Sequence, residues 1–178
     1  MTVPSVLLSV FMFFIGFGTK WFEEWYRHRY QAAREKEARH DARREQLLWR
    51  QADFQRQNLL DLQDAVMRLA RTSGQIHHHD SMAAKQTGSW GRNFAPEGVS
   101  EAHRDAQATT TVILVRIRDK KIRTLTQELK AHCASAGIAE SESASLKSMI
   151  SMNDTFELLN ERIGDLLRNL EDLELREK

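Results

Sequence analysis

The chain has 178 residues, 41% of them apolar, with 26 Lys and Arg against 25 Asp and Glu. A formal charge of +1 with both signs dispersed excludes the one-sided basic stripe that grips nucleic acid, so no nucleic-acid partner is expected. A single cysteine, Cys133, excludes an intrachain disulfide, and only two prolines leave most of the chain free to form long helices.

Residues 1–22 are predicted to form a transmembrane anchor. Leu7, Leu8, Phe11, Phe13, Phe14 and Ile15 lie in an apolar run with no charged side chain before Lys20. Carried to Phe22, the run gives about 30 Å of helix, enough to cross a bilayer. Trp21 and Trp25 sit where an interfacial aromatic belt would. A cleaved signal peptide is the alternative, because Gly16-Phe17-Gly18 offers small residues at cleavage spacing. No basic side chain precedes the run, however, which disfavours cleavage. Lys20, Arg27, Arg29, Arg34, Lys36 and Arg39 all follow it, so the expected orientation is N-terminus outside and the bulk of the chain in the cytoplasm.

Residues 23–47 read as a charged helical stalk. Glu23 with Arg27 and Glu35 with Arg39 are spaced four apart, which supports a solvated helix. Residues 48–75 are predicted to be a first bundle helix. Leu48, Ala52, Gln55, Leu59, Leu62, Val66 and Leu69 alternate steps of four and three, the period of a helix-packing seam. Gln55 is its one polar intruder, and Phe54 and Leu60 are expected to widen it. Thr72-Ser73-Gly74 is the expected helix end.

Residues 76–99 show no periodicity and are predicted to be a flexible loop of functional or partner-dependent character. His77, His78, His79 and Asp80, with the more distant His103, are the candidate metal ligands of the chain. Adjacent histidines fan out in different directions, and the spacings of three or four that a helical site needs are missing. Solvated polarity is therefore the expected role, and no metal or cofactor is predicted. Trp90 and Phe94 are expected to fold back and cap the bundle, with partner recognition as the alternative.

Residues 100–136 are predicted to be a second bundle helix, capped at Ser100 and stopped by Gly137. Thr109 to Arg118 is rich in β-branched residues, but no second strand exists for it to pair with, so helix is preferred. The spacing Val115, Arg118, Ile122, Leu125, Leu129, His132, Ala136 runs through it. Residues 138–176 form the third expected helix. Its seam, Met149, Met152, Phe156, Leu159, Ile163, Leu166, Leu170 and Leu173, has no polar interruption, and Leu158 and Leu167 broaden it.

The expected fold is all-α: an anchor, a stalk and an antiparallel three-helix bundle or coiled coil. The last segment, 137–178, holds ten acids against five bases, and 100–136 holds seven bases against four acids, so the two are electrostatic complements. No catalytic constellation is present, and no enzyme is predicted. The expected function is a single-pass scaffold or adaptor that tethers a protein partner, or pairs with itself, at the lipid bilayer. Membrane-anchored coiled coils that face the periplasm, such as phage spanin subunits, are similar in layout and give the alternative compartment. A metal-dependent activity at the histidine run is the second alternative.

Overall fold

Low proline and glycine content and long runs of good helix formers leave little competition for helix, and the chain is all-α. The computed structural model describes residues 3–91 and 97–176. Of these, the side chains of residues 3–28, 30, 32, 33 and 173–176 lie outside the description. Among the described residues four helices follow one another: α1 (Val3–Thr87), α2 (Val99–Leu114), α3 (Lys120–Gly137) and α4 (Glu142–Arg176). Among the described residues there is no strand. The chain divides into two compact units, 1–50 and 51–178.

The first unit is helical from Val3 and carries exposed charged residues between positions 34 and 46. Arg39 donates to Glu35 at 2.9 Å, an exposed pair one helical turn apart of the kind that contributes a few tenths of a kcal/mol, roughly 0.3–0.5. Among the residues whose side chains are described, no helix is long and apolar enough to cross a membrane. The expected anchor, Leu7 to Trp25, lies outside those residues.

The second unit is a helical bundle whose boundaries differ from those expected in two places. The first is the end of α1. The helix does not stop at Thr72-Ser73-Gly74 but continues to Thr87, so His77, His78, His79 and Asp80 are helical and not part of a loop. The reason is local. The Thr72 and Ser73 hydroxyls donate back to the Arg68 and Leu69 carbonyls at 2.9 Å, satisfying themselves inside the helix instead of capping it. The stop is Gly88, at φ +72°, whose amide donates to Ala84 O at 2.8 Å. A left-handed residue after the last turn is what glycine accommodates without steric cost. The connection therefore spans 88–98, and Ser100 lies inside the first turn of α2 and is not its cap.

The second difference lies within 100–136, which forms two helices. α2 ends at Leu114 and α3 begins at Lys120. The final turn of α2 tightens through i→i−3 bonds from Arg116 and Ile117. Asp119 then caps α3, its Oδ1 accepting from the Ile122 amide at 2.8 Å. Val115 and Arg118, placed in the seam by their spacing, are exposed instead, and Ile117 takes the buried position.

Side-chain contacts fix how the helices run. Ser81 donates to Glu142, His77 meets Ser145, and Gln63 donates to Asn160, so α4 is antiparallel to α1. Thr72 meets His103, while Gln55 reaches Arg116 and Arg118, so α2 is also antiparallel to α1. Arg162 pairs with Asp119 and Ser145 donates to Ala136 O, so α3 and α4 form the hairpin that the short connection after Gly137 favours. The expected three helices are thus four: the C-terminal stretch of α1, then α2, α3 and α4.

Apolar residues from all four helices meet at the centre. Leu59, Leu62, Val66, Leu69, Ile122, Leu125, Leu129, Leu159 and Ile163 are buried. Phe156, Leu166, Leu167 and Leu170 are partly buried against them, and Leu173 lies outside the described side chains. Phe54, Leu60 and Leu158 do not widen the core as expected, because each is about half exposed. Buried threonines are tolerated because their hydroxyls stay within their own helix: Thr110 donates to Ala106 O at 2.7 Å and Thr126 to Ile122 O at 2.8 Å.

Candidate functional site

The residues singled out for chemistry gather at the end of the bundle where α1 stops and α3 turns into α4. His77 Nδ1 lies 2.8 Å from Ser145 Oγ, and Ser145 Oγ donates to Ala136 O at 3.1 Å. With the serine proton committed to that carbonyl, the His77 Nδ1–H is the donor in the pair. A histidine and a serine at this distance have the elements of an activated nucleophile. Ser145 is fully buried, however, and holds its proton against a backbone carbonyl. The pair ties α1 to the α3–α4 connection and offers no surface to a substrate.

Trp90 completes this end. Its Nε1 donates to Ala139 O at 2.8 Å, and its ring lies 5.8 Å from that of His77 at a tilt of 54°. Gly91, at φ +69°, lets the chain turn beside the same carbonyl. Trp90 thus caps the end of the bundle, while Phe94 lies outside the described residues. Its position is local in origin: Gly88 turns the chain back as α1 ends, two residues before the indole.

The five candidate metal ligands do not converge. His77 faces Ser145 and Trp90, and His103 Nδ1 lies 3.1 Å from Thr72 Oγ1. His78 is exposed, and His79 Nδ1 is buried with no hydrogen-bond partner. Among the described residues no three His, Cys, Asp or Glu side chains form a ligand set. Burial lowers the pKa of His103 below its ordinary value and raises that of the Cys133 thiol, so both favour their neutral forms.

The opposite end holds a polar network that sequence reasoning reached only as an anomaly. Gln55, the intruder in the first seam, donates to Arg116 O at 3.1 Å and accepts from the Arg118 amide at 3.3 Å. It stands where the α2–α3 turn needs partners for backbone groups that no helix satisfies. Arg123 donates to Ile117 O and Arg118 O, both at 2.8 Å. Asp119 caps α3 with one oxygen and accepts from Arg162 Nη2 with the other at 2.7 Å. Burial alone raises the Asp119 pKa, but the Arg162 hydrogen bond and charge and the Ile122 amide more than offset it, so the carboxyl titrates below its usual range. The signal in the sequence was an aspartate three residues before Ile122, where a new apolar period begins.

No family model, curated protein or solved structure matches this chain.

Proposed function

We propose that this is a single-pass membrane protein whose helical bundle is a scaffold, holding a protein partner or a second copy of itself at the bilayer. The N-terminus lies outside and the bundle lies in the cytoplasm. The observation that carries this reading is the uncharged apolar run from Val3 to Thr19, followed by aromatic flanks and by all of the neighbouring Lys and Arg. The run continues without a helix break into the charged stretch and the first bundle residues, all within α1, an arrangement that favours a retained anchor over a cleaved leader. The proposed role is binding: among the described residues the His77–Ser145 pair is closed, and the candidate ligands His77, His78, His79, Asp80 and His103 do not converge. Tethering works by raising the local concentration of whatever the bundle binds.

A reporter active only in the cytoplasm, fused after Lys178, tests the topology. The reading expects signal from that reporter and retention of the protein in carbonate-washed membranes. Signal from a periplasmic reporter alone overturns the orientation and favours the periplasm-facing arrangement. Loss from washed membranes overturns the anchor.

A further inference from the structure

The α2–α3 turn carries positive charge that its own chain does not neutralise. Arg116 and Arg118 lie in the turn, and Lys120 and Lys121 open α3; all four are exposed. Among the described residues no ion pair engages any of them. The acids at hand are few. Asp119 is committed to Arg162, and Glu161, the neighbour of Arg162 on α4, offsets in charge no more than Arg123, which donates into the turn. α3 has no acidic residue in its first turn, so the lysines there face the positive end of its dipole unaided. An incoming anion relieves that repulsion.

The kind of anion follows from what is closed and what is open. A helix start holds phosphate on its free amides. Here those amides are taken: Asp119 accepts from the Ile122 amide at 2.8 Å and also from that of Lys121. A phosphate brought to the start of α3 meets the Asp119 carboxylate instead. What remains open is a set of separate side-chain charges, which suits anions spaced along a chain. The last turn of α2 adds an apolar element. Val112 and Val115, 55% and 81% exposed, are three residues apart on one helix face, and Arg116 follows Val112 by four on the same face. A nucleic-acid backbone offers nothing to two exposed valines. A peptide that intersperses carboxylates with apolar side chains meets both features.

We infer that the α2–α3 turn is the surface on which the bundle binds a partner protein, through an acidic segment of that partner with apolar side chains among its carboxylates. Arg116, Arg118, Lys120 and Lys121 meet the carboxylates and set the charge of the partner. Val112 and Val115 supply the apolar part of the contact. The inference deepens the scaffold proposal and rests on it for the claim that the bundle binds a protein. It does not depend on the anchor.

The test is the binding of a fluorescein-labelled peptide of Glu-Glu-Leu repeats to the full-length chain in neutral detergent, read by fluorescence anisotropy. The intact chain is expected to bind it, and more weakly as salt rises, because exposed charges are screened within about 10 Å at 0.1 M. K120E/K121E is expected to weaken binding at least about tenfold, with circular dichroism unchanged. R71E/K147E makes the same charge change on exposed residues away from the turn and is expected to leave binding unaltered. V112A/V115A is expected to weaken binding severalfold without changing its salt dependence. Absence of binding, equal losses in the two charge reversals, an unaffected valine variant, or tighter binding of a single-stranded oligonucleotide of the same formal charge each overturns the inference. Retention of the intact chain in washed membranes is read separately: its loss removes the anchor and leaves the peptide result standing.

Discussion

The two ends of the bundle solve one problem with different chemistry. Each must satisfy backbone groups where the chain reverses. At the α3–α4 end the partners of the backbone carbonyls are an indole and a hydroxyl: Trp90 on Ala139 O, and Ser145, itself met by His77, on Ala136 O. At the α2–α3 end they are largely charged: Arg123 on two carbonyls, and Asp119 shared between a helix amide and Arg162, with Gln55 the neutral member. The first end is closed by an aromatic lid. The second leaves four cations facing solvent. The difference separates an aromatic seal from an open, cationic turn, although the histidines and the tryptophan drew attention to the first.

The core between the ends should dominate stability. Ile163 is fully buried, and Ile163→Ala should cost about 2–5 kcal/mol in urea unfolding followed by far-UV circular dichroism. Val115→Ala, on an exposed turn residue, should change it by no more than about 0.5 kcal/mol. Equal costs would mean that the seam runs through Val115 and that 100–136 is one helix.

The ends themselves should differ by less. Trp90→Ala removes a half-buried ring and one hydrogen bond and should cost about 2 kcal/mol. Asp119→Ala removes a cap and should cost about 1 kcal/mol. Asp119→Asn keeps the cap acceptor and should recover part of that loss. A Trp90→Ala variant as stable as the parent would show that the lid does not seal its end.

The smallest expected effect is one of pH. The folded pKa of His103 lies below its unfolded value, so its contribution is present above the ordinary histidine pKa and is lost as pH falls through that range toward the folded value. The folded pKa of Asp119 is also depressed, but from a carboxylate value, so its contribution persists to far lower pH and fades only in acid. His103→Gln should therefore flatten the loss of stability on mild acidification. Asp119→Asn should leave that slope unchanged and alter only the acid limb. The reverse assignment would show that His103 is solvated in the folded protein.

The sequence carried the periodic parts of this fold well. The α4 seam and the Ile122–Leu125–Leu129 stretch were legible because burial repeats at helical spacing and nothing competes with it. The two breaks were harder to see. Thr72-Ser73-Gly74 resembles a helix end, yet hydroxyls can bond back to their own helix, and a glycine costs only about 1 kcal/mol in a helix interior. The turn at 115–119 was masked because Val115 and Arg118 fall on the helical period by coincidence. Its clues were the alternation of Val115 to Arg118, the capping Asp119 and the polar Gln55 in an apolar seam. The network at the α2–α3 turn was out of reach of sequence alone, because Gln55, Asp119 and Arg162 come together only through the antiparallel packing.

The central claim is that α1 runs unbroken to Thr87 and that the chain reverses at 115–119 to make four helices in the bundle. Hydrogen exchange of the full-length chain, read peptide by peptide, tests it directly. The account predicts protected amides from about Leu59 through Ala84, fast exchange at 88–91, and a short window of faster exchange at 115–119 between protected α2 and α3. Fast exchange from Ile76 onward, with unbroken protection from Thr109 through Ile122, would contradict it.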